Sequence, residues 1–251
     1  MVAPGVEGTL ATGYEGAPRA AVLLLHGWTG QRDEVGDMFK RVADQLAAQN
    51  IASLRIDFRG EGERNGHRLT STFATRVADA EAGLAHLQKH YPDTPIGVVG
   101  FSLGGATAMA VVGRQPEAVD SLVLWSTSGD LAVDFFTQPD TKSAMREAIE
   151  QGESVYHSWA KITFTREHLA GMIGYELIEP LSAYRGALLG IRGSEDYLTP
   201  YESRILAAAN GSLEEAITIG GADHIFNTLD PKSDHDERAI DLTVRWLTKT
   251  L

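Results

Sequence analysis

The segment 100–104 reads GFSLG and places Ser102 between two glycines, directly after an apolar run. A helix-forming stretch, 106–112, follows at once. This order of strand, tight turn and helix is the context in which a G-x-S-x-G pattern exposes a nucleophilic hydroxyl, because small neighbours tolerate the strained turn. A Gly-rich turn that contains an incidental serine is the alternative, and the motif alone leaves it open.

A serine hydroxyl needs a base within hydrogen-bond reach and a third group that orients this base. His224 follows a predicted strand at 216–219, and Asp196 follows another at 187–192. Since the carboxyl ends of parallel strands meet at one edge of an open α/β sheet, we expect both side chains to reach Ser102. The sequence therefore predicts a nucleophile, an acid and a histidine in that chain order.

Glu195 and Asp223 are rivals for the acid role. Asp196 is preferred because the pattern D-x-x-T-P places it on the turn before the next predicted helix. The other histidines are weaker candidates for the base, since they lie on predicted helix surfaces, in loops or in an inserted segment. They are His67, His86, His90, His157, His168 and His235.

An oxyanion that forms during attack needs donors held where the charge develops, and backbone N–H groups can serve. The N–H of Leu103, at the start of the helix after the serine, is one candidate. The N–H of Trp28, in the segment HGWTG after the predicted strand 20–25, is the second. We expect His26 to be structural and the Trp28 side chain to line a pocket, with core packing as the alternative for that indole.

Apolar runs and helical periodicities alternate along most of the chain, as in a doubly wound, mostly parallel α/β sheet. We predict about seven strands in a single domain, 1–251. The predicted strands are 6–12, 20–25, 51–57, the run from Ile96 to the serine, 119–126, 187–192 and 216–219. The predicted helices are 35–49, 72–91, 106–112, 201–210 and 234–250.

The alternation stops at 129–186, which we interpret as a lid inserted over the carboxyl edge of the sheet. Helices are predicted near 141–151 and 166–173. A separate surface unit with its own small core is the alternative. Aromatic side chains of this insertion could line an acyl pocket or form that core. They are Phe135, Phe136, Tyr156, Trp159 and Phe164.

Composition excludes several classes of function. The 251 residues include no cysteine and carry a formal charge of −12, which disfavours binding to nucleic acid or anionic lipid. Neither a signal peptide nor an apolar run of bilayer length is apparent, so we expect a cytoplasmic protein that does not enter a membrane. We expect no cofactor, and whether the protein is a monomer or a homodimer stays open.

A metal site is an alternative interpretation of the acidic loop that follows the strand 51–57. Asp57, Glu61 and Glu63 lie close together there. Carboxylates in such a Gly-rich loop are more often solvated or paired, and Arg59 and Arg64 are the expected partners. We therefore predict no metal.

Five ordered motifs resemble those of the α/β-hydrolase superfamily, and within it those of the dienelactone-hydrolase-like and cinnamoyl (feruloyl) esterases. They are HGWTG at 26–30, DFRGEG at 57–62, GFSLGG at 100–105, G-x-x-D-x-x-T-P at 193–200 and ADHIF at 222–226. The resemblance implies hydrolysis of a small-molecule ester through an acyl-enzyme. Glu61 stands where that group usually has histidine, and the absence of cysteine favours its serine branch.

The expected function is that of a serine carboxylesterase acting on small to medium esters, with aromatic or hydroxycinnamoyl esters among them. The same three side chains could instead serve a thioesterase, an acyltransferase or a peptidase. A non-catalytic ligand-binding protein on this fold is a further alternative.

Overall fold

Nine strands and eight helices form the described part of the chain. The computed structural model describes residues 1–13, 16–62, 65–136 and 139–251. The strands are β1 (Glu7–Ala11), β2 (Ala20–Leu25), β3 (Ile51–Asp57), β4 (Ile96–Phe101), β5 (Ser121–Trp125), β6 (Glu153–His157), β7 (Lys161–Thr165), β8 (Ala187–Gly193) and β9 (Leu213–Ile219). The helices are α1 (Met38–Ala48), α2 (Phe73–His90), α3 (Leu103–Arg114), α4 (Leu131–Phe136), α5 (Pro139–Gln151), α6 (Arg166–Ala170), α7 (Glu202–Ala208) and α8 (His235–Thr250).

Seven strands make one sheet in the order β1-β3-β2-β4-β5-β8-β9. Only β1 is antiparallel to its neighbour, so the predicted doubly wound, mostly parallel sheet is confirmed. The strand β2 shows why a continuous apolar run indicates a strand that is buried on both faces. Its residues alternate between two hydrophobic clusters, one on each face, so that all six are buried.

Helices cover both faces of this sheet. One cluster packs α2, α3 and α7 against it, and the other packs α1 and α8. The amphipathic pattern of α1 buries Met38, Phe39, Val42 and Leu46 along one face of this helix. Thr72 caps α2 by accepting a hydrogen bond from the N–H of Thr75. None of the helices in the described ranges has the length and apolar character needed to cross a bilayer.

The segment 129–186 connects β5 to β8 and contains α4, α5, the β6–β7 hairpin and α6. Backbone hydrogen bonds join its hairpin to the loop before α2. Leu69 N–H donates to Thr163 O at 2.9 Å, and Thr163 N–H donates to His67 O at 3.0 Å. A third bond, from Phe73 N–H to Gly171 O at 3.2 Å, joins the end of α6 to the start of α2. One side of the insertion is therefore tied to the main sheet domain through peptide groups.

Several elements differ from the expectations, and among them the helix α4 was not predicted. The strand β9 begins at Leu213, three residues before the predicted start, because pairing with β8 extends it through the charged pair Glu214 and Glu215. The hairpin of β6 and β7 was not predicted. In β6 the apolar Val155 is exposed while Ser154 is buried, so its sequence lacks the apolar alternation of a half-buried strand.

Candidate active site

Ser102 occupies the tight turn between β4 and α3. Its backbone has φ 53° and ψ −118°, a conformation that residues other than glycine rarely adopt and that proteins retain mainly at functional sites. A Cβ at Gly104 would lie 1.9 Å from the carbonyl oxygen of Leu25, and one at Gly100 would lie 2.4 Å from the carbonyl oxygen of Gly104. The turn therefore requires glycine at both positions of the motif.

The structure brings Ser102, His224 and Asp196 together at the carboxyl edge of the sheet. His224 Nε2 lies 3.0 Å from Ser102 Oγ, and His224 Nδ1 lies 2.8 Å from Asp196 Oδ1. An ionised carboxylate only accepts hydrogen bonds, so the imidazole proton is on Nδ1. Nε2 is then left to accept the serine hydroxyl proton, which is the arrangement that general-base activation requires.

The environment of Asp196 keeps this carboxyl ionised. Burial alone would raise its pKa, but the hydrogen bond and charge of His224 outweigh burial and hold the pKa below the ordinary value. Leu198 N–H also donates to Oδ1, at 3.0 Å. The buried Arg192 orders the same turn by donating to Leu198 O at 2.9 Å, and its guanidinium lies 3.7 Å from Asp196 Oδ2. Sequence reasoning had not singled out Arg192.

The rival acids are placed differently. The Glu195 side chain is exposed to solvent. Asp223 Oδ1 accepts hydrogen bonds from the N–H groups of Ile225 and Asn227, at 3.0 and 2.7 Å. Asp223 thus shapes the turn that carries His224, and neither rival contacts the imidazole through a hydrogen bond.

Trp28 and Leu103, the residues of the two predicted oxyanion donors, line the same cavity as Ser102. Leu103 N–H is at the first turn of α3, and Trp28 N–H is in the loop 26–30. Within the described ranges, neither N–H donates a hydrogen bond to the protein. Both donors are therefore free to bind an oxygen atom of a substrate.

Glu34 holds this loop and was missed by the sequence analysis. Its Oε2 accepts a hydrogen bond from Gly27 N–H at 2.6 Å, and its Oε1 accepts one from Val35 N–H at 2.9 Å. The backbone of Glu34 has φ 63° and ψ 170°, a region that is almost restricted to glycine. Burial raises the pKa of this carboxyl. No local sequence motif predicts this role of Glu34, because its partner Gly27 lies seven positions away.

His26 has both ring nitrogens engaged by the backbone. Nδ1 donates to Gly27 O at 2.8 Å, and Nε2 accepts from Phe58 N–H at 3.3 Å. Burial, helped by the Arg76 charge, lowers the pKa of His26 to about 4. These contacts are those of a residue that ties down its loop.

Lowering the pH from 7 to 4 should reduce the free energy of unfolding by about 3 kcal/mol through His26. The unfolded chain takes up this proton near pH 6.5 and the folded chain only near pH 4, so the unfolded state binds more protons between these values. Stability therefore falls as the pH falls. Urea unfolding at several pH values should show a shallower dependence for His26→Gln. Equal dependence in the variant and the unmodified protein would contradict this assignment.

A cavity of about 1030 Å³ lies above Ser102, between the sheet edge and the insertion. Of the predicted pocket residues, four line it: Trp28, Phe135, Tyr156 and Trp159. Phe136 instead packs against the main hydrophobic cluster, and Phe164 is fully buried beneath the indole of Trp28 at a centroid distance of 5.3 Å. The insertion thus supplies both wall and core residues.

The acidic loop after β3 is paired differently from the expectation. The ion pairs that involve this loop and the end of β3 are Arg32–Asp57, Arg59–Asp79 and Arg76–Glu61. The predicted pairing of Glu61 with Arg59 is wrong, because Arg76 of α2 reaches Glu61 from the protein interior. Glu63 and Arg64 lie outside the described residues. In the described ranges, no group of three or more acidic or histidine side chains is arranged to hold a metal ion.

The sheet order, the serine turn and the three side chains at the sheet edge define an α/β hydrolase. A family model described as serine aminopeptidase, S33, matches residues 16–152, and the chain belongs to this family.

Similarity to individual proteins is more limited. Mouse (Mus musculus) monoglyceride lipase is 33% identical over 115 residues, 44% of this chain and 36% of that protein. The pimeloyl-[acyl-carrier protein] methyl ester esterase of Chromobacterium violaceum is 38% identical over 107 residues, 43% of this chain and 37% of that protein. The chain thus spans little more than a third of the length of these curated relatives.

A solved structure of Est1E from Butyrivibrio proteoclasticus, with ferulic acid bound, shares the fold. Its TM-score is 0.73 at 16% identity, over 98% of this chain and 95% of that chain. At this level of identity the likeness concerns the fold alone.

Proposed function

We propose that this chain is a serine esterase that hydrolyses carboxylic esters through an acyl-enzyme. The observation that carries the proposal is the continuous hydrogen-bond chain from Asp196 through His224 to Ser102, with distances of 2.8 and 3.0 Å. The names of two relatives, a monoglyceride lipase and a methyl ester esterase, support an ester as the bond attacked.

In the first half-reaction, Ser102 Oγ forms a bond to the ester carbonyl carbon while its proton moves to His224 Nε2. The carbonyl oxygen becomes an oxyanion, and the N–H groups of Trp28 and Leu103 bind it. When the intermediate collapses, the carbon–oxygen bond to the alcohol breaks. The leaving oxygen takes the proton from Nε2, and the acyl group stays on Ser102.

In the second half-reaction, water gives its proton to His224 Nε2 and attacks the acyl carbon. Collapse returns the proton to Ser102 Oγ and releases the carboxylic acid. Asp196 keeps the imidazole in the same tautomer and stabilises the imidazolium that forms in each half. Apart from the attacking water, every group in this reaction scheme is a side chain or a backbone N–H of the chain.

The insertion 129–186 acts as a lid in this proposal, and the chain 1–251 is one hydrolase domain. The position of the cavity supports the role of a lid. Ser102 and His224 line one wall of the cavity, and Phe135, Tyr156 and Trp159 of the insertion line another. A wall of this kind excludes water from the acyl-enzyme and shapes the acyl pocket.

An uncharged aromatic acyl group fits the lining of the cavity best. Among the described lining residues, Glu34, Asp134 and Asp140 are acidic, and none is lysine or arginine. Burial raises the pKa of Asp134, although the hydrogen bond from Ser128 acts against this. A carboxyl of this kind can bind a phenol hydroxyl but disfavours a second carboxylate. The ferulic acid held by Est1E, which shares the fold, agrees with a hydroxycinnamoyl ester.

Methyl p-coumarate should therefore be hydrolysed with a kcat/KM at least about tenfold higher than methyl 4-carboxycinnamate, because like charges are costly in a desolvated pocket. The two esters differ only in the para group, so initial rates compare its charge directly. The variant Asp134→Asn should reduce the ratio of kcat/KM between the two esters. Faster hydrolysis of the carboxylate-bearing ester would show that the pocket is not selective in this way.

A second candidate is a peptidase that acts on a substrate with a free amino group. The description of the family and the acidic lining favour it. An aryl ester, an acyl thioester and an aminoacyl p-nitroanilide, assayed side by side, separate an esterase from a thioesterase and a peptidase. A failure of Ser102 to react with a fluorophosphonate probe would instead favour a non-catalytic binding protein.

A further inference from the structure

We propose that His168, on α6 of the insertion, is a positioning residue for the oxyanion hole because its imidazole holds the indole of Trp28. This inference rests on the proposed function, in which Trp28 N–H is an oxyanion donor. It makes the insertion part of the machinery that sets the reaction rate, in addition to being a wall of the cavity.

The contact is a hydrogen bond from Trp28 Nε1 to His168 Nε2, with a length of 2.8 Å. The two ring planes are within 8° of each other and their centroids are 6.0 Å apart. An indole N–H can only donate. His168 Nε2 must therefore accept, and the imidazole proton is on Nδ1, which donates to Ser71 O at 2.7 Å.

His168 is fully buried, and burial lowers its pKa. The charged groups that face it are Glu61, which opposes this shift, and Arg76, which adds to it. The imidazole is consequently neutral at neutral pH, and its Nε2 stays available as an acceptor for the indole.

A closed ring of hydrogen bonds leads from His168 back to the loop that carries Trp28. Ser71 Oγ donates to Glu61 Oε1 at 2.6 Å, and Arg76 Nη1 lies 2.5 Å from the same oxygen. Arg76 Nη2 donates to the carbonyl oxygen of His26 at 2.7 Å. Since His26 precedes Trp28 by two residues, the ring holds the loop at two points.

The indole also makes two aromatic contacts. Its ring stacks on Phe164 at a centroid distance of 5.3 Å and meets the edge of Phe135 at 4.8 Å. Ring contacts of this kind allow the indole to slide in its plane, whereas the hydrogen bond to His168 fixes the orientation of the indole. Without this acceptor, the half-buried indole N–H loses its partner in the protein. We expect the indole to shift toward another acceptor and the Trp28 backbone to shift with it. The donor would then be displaced from the oxyanion.

Two variants at one position isolate this bond. His168→Gln and His168→Met both lose the Nδ1 bond to Ser71, but only glutamine offers an oxygen to the indole N–H. We expect kcat for an aryl ester to be about tenfold lower in His168→Met than in His168→Gln, with KM within about twofold, because a misplaced oxyanion donor weakens transition-state binding. Equal kcat values would overturn the proposal.

The background variant Trp28→Phe removes the indole N–H and keeps the backbone N–H. In this background the difference between His168→Gln and His168→Met should disappear, because no bond remains for glutamine to replace. If kcat still differs between His168→Gln and His168→Met in this background, the effect does not depend on the indole N–H, and the proposal is refuted.

The indole ¹⁵N–¹H resonance of Trp28, identified by its loss in Trp28→Phe, reports the contact without catalysis. It should shift upfield in His168→Met and remain near its original position in His168→Gln. An unchanged resonance in His168→Met would refute the contact. If the unmodified protein hydrolyses no ester and does not react with a fluorophosphonate, the proposed function fails and the positioning role fails with it. An active protein with equal variants refutes the positioning role alone.

Discussion

Replacing Ser102 with alanine is expected to lower kcat/KM for carboxylic esters by a factor on the order of 10⁵, because it removes the hydroxyl that lies 3.0 Å from His224 Nε2. The fold should be retained, since alanine is no larger than serine and the turn depends on Gly100 and Gly104. Ester hydrolysis and fluorophosphonate labelling measure the loss, and thermal unfolding checks the fold.

Ser212→Ala is the matched control, because Ser212 is exposed and precedes β9, at the end of that strand opposite to the one that His224 follows. It should keep the original rate. A Ser102→Ala protein that is folded and still turns over esters at a comparable rate would refute the proposed nucleophile.

The change Asp196→Asn is expected to lower kcat by about 10³ to 10⁴ while KM changes little. The asparagine amide would donate to His224 Nδ1 and leave the proton on Nε2, so the imidazole could no longer accept from Ser102. Steady-state kinetics on one ester across a range of pH values measure this effect.

Glu195→Gln offers a control one residue away, because the Glu195 side chain is exposed. It should remain within about twofold of the original kcat. A large loss in Glu195→Gln together with a small one in Asp196→Asn would reverse the assignment of the acid.

Buried parallel strands are the part of this fold that sequence specifies best. The strands β2 and β3 begin and end at the predicted residues. In β2, burial on both faces demands an uninterrupted apolar run, whereas β3 also contains Ser53 and Arg55. Edge and inserted elements obey weaker rules. Pairing with β8 brings two glutamates into β9, which an apolar pattern does not predict. In β6 the apolar Val155 is exposed, so hydrophobicity does not indicate which face of this strand is buried.

The same distinction applies to the candidate site. Ser102, Asp196 and His224 each follow a strand of one parallel sheet, so topology alone places them at a common edge. Glu34 and His168 carry no such signal. Their partners are Gly27 and Trp28, and the contact of His168 spans 140 positions of the chain. Only the folded arrangement reveals such long-range bonds.

The peptide bonds between the β6–β7 hairpin and the loop before α2 have a consequence for how a ligand enters. To swing the hairpin outward, the chain would have to unpair the amides of Leu69 and Thr163 from their carbonyl partners. The helix α4 meets the sheet domain through side chains, such as Asp134 with Tyr201. The helix α5 instead packs against the hairpin, where Ser154 Oγ of β6 donates to Ala144 O. We therefore expect α4 to move more readily than the hairpin when a ligand enters or leaves the cavity.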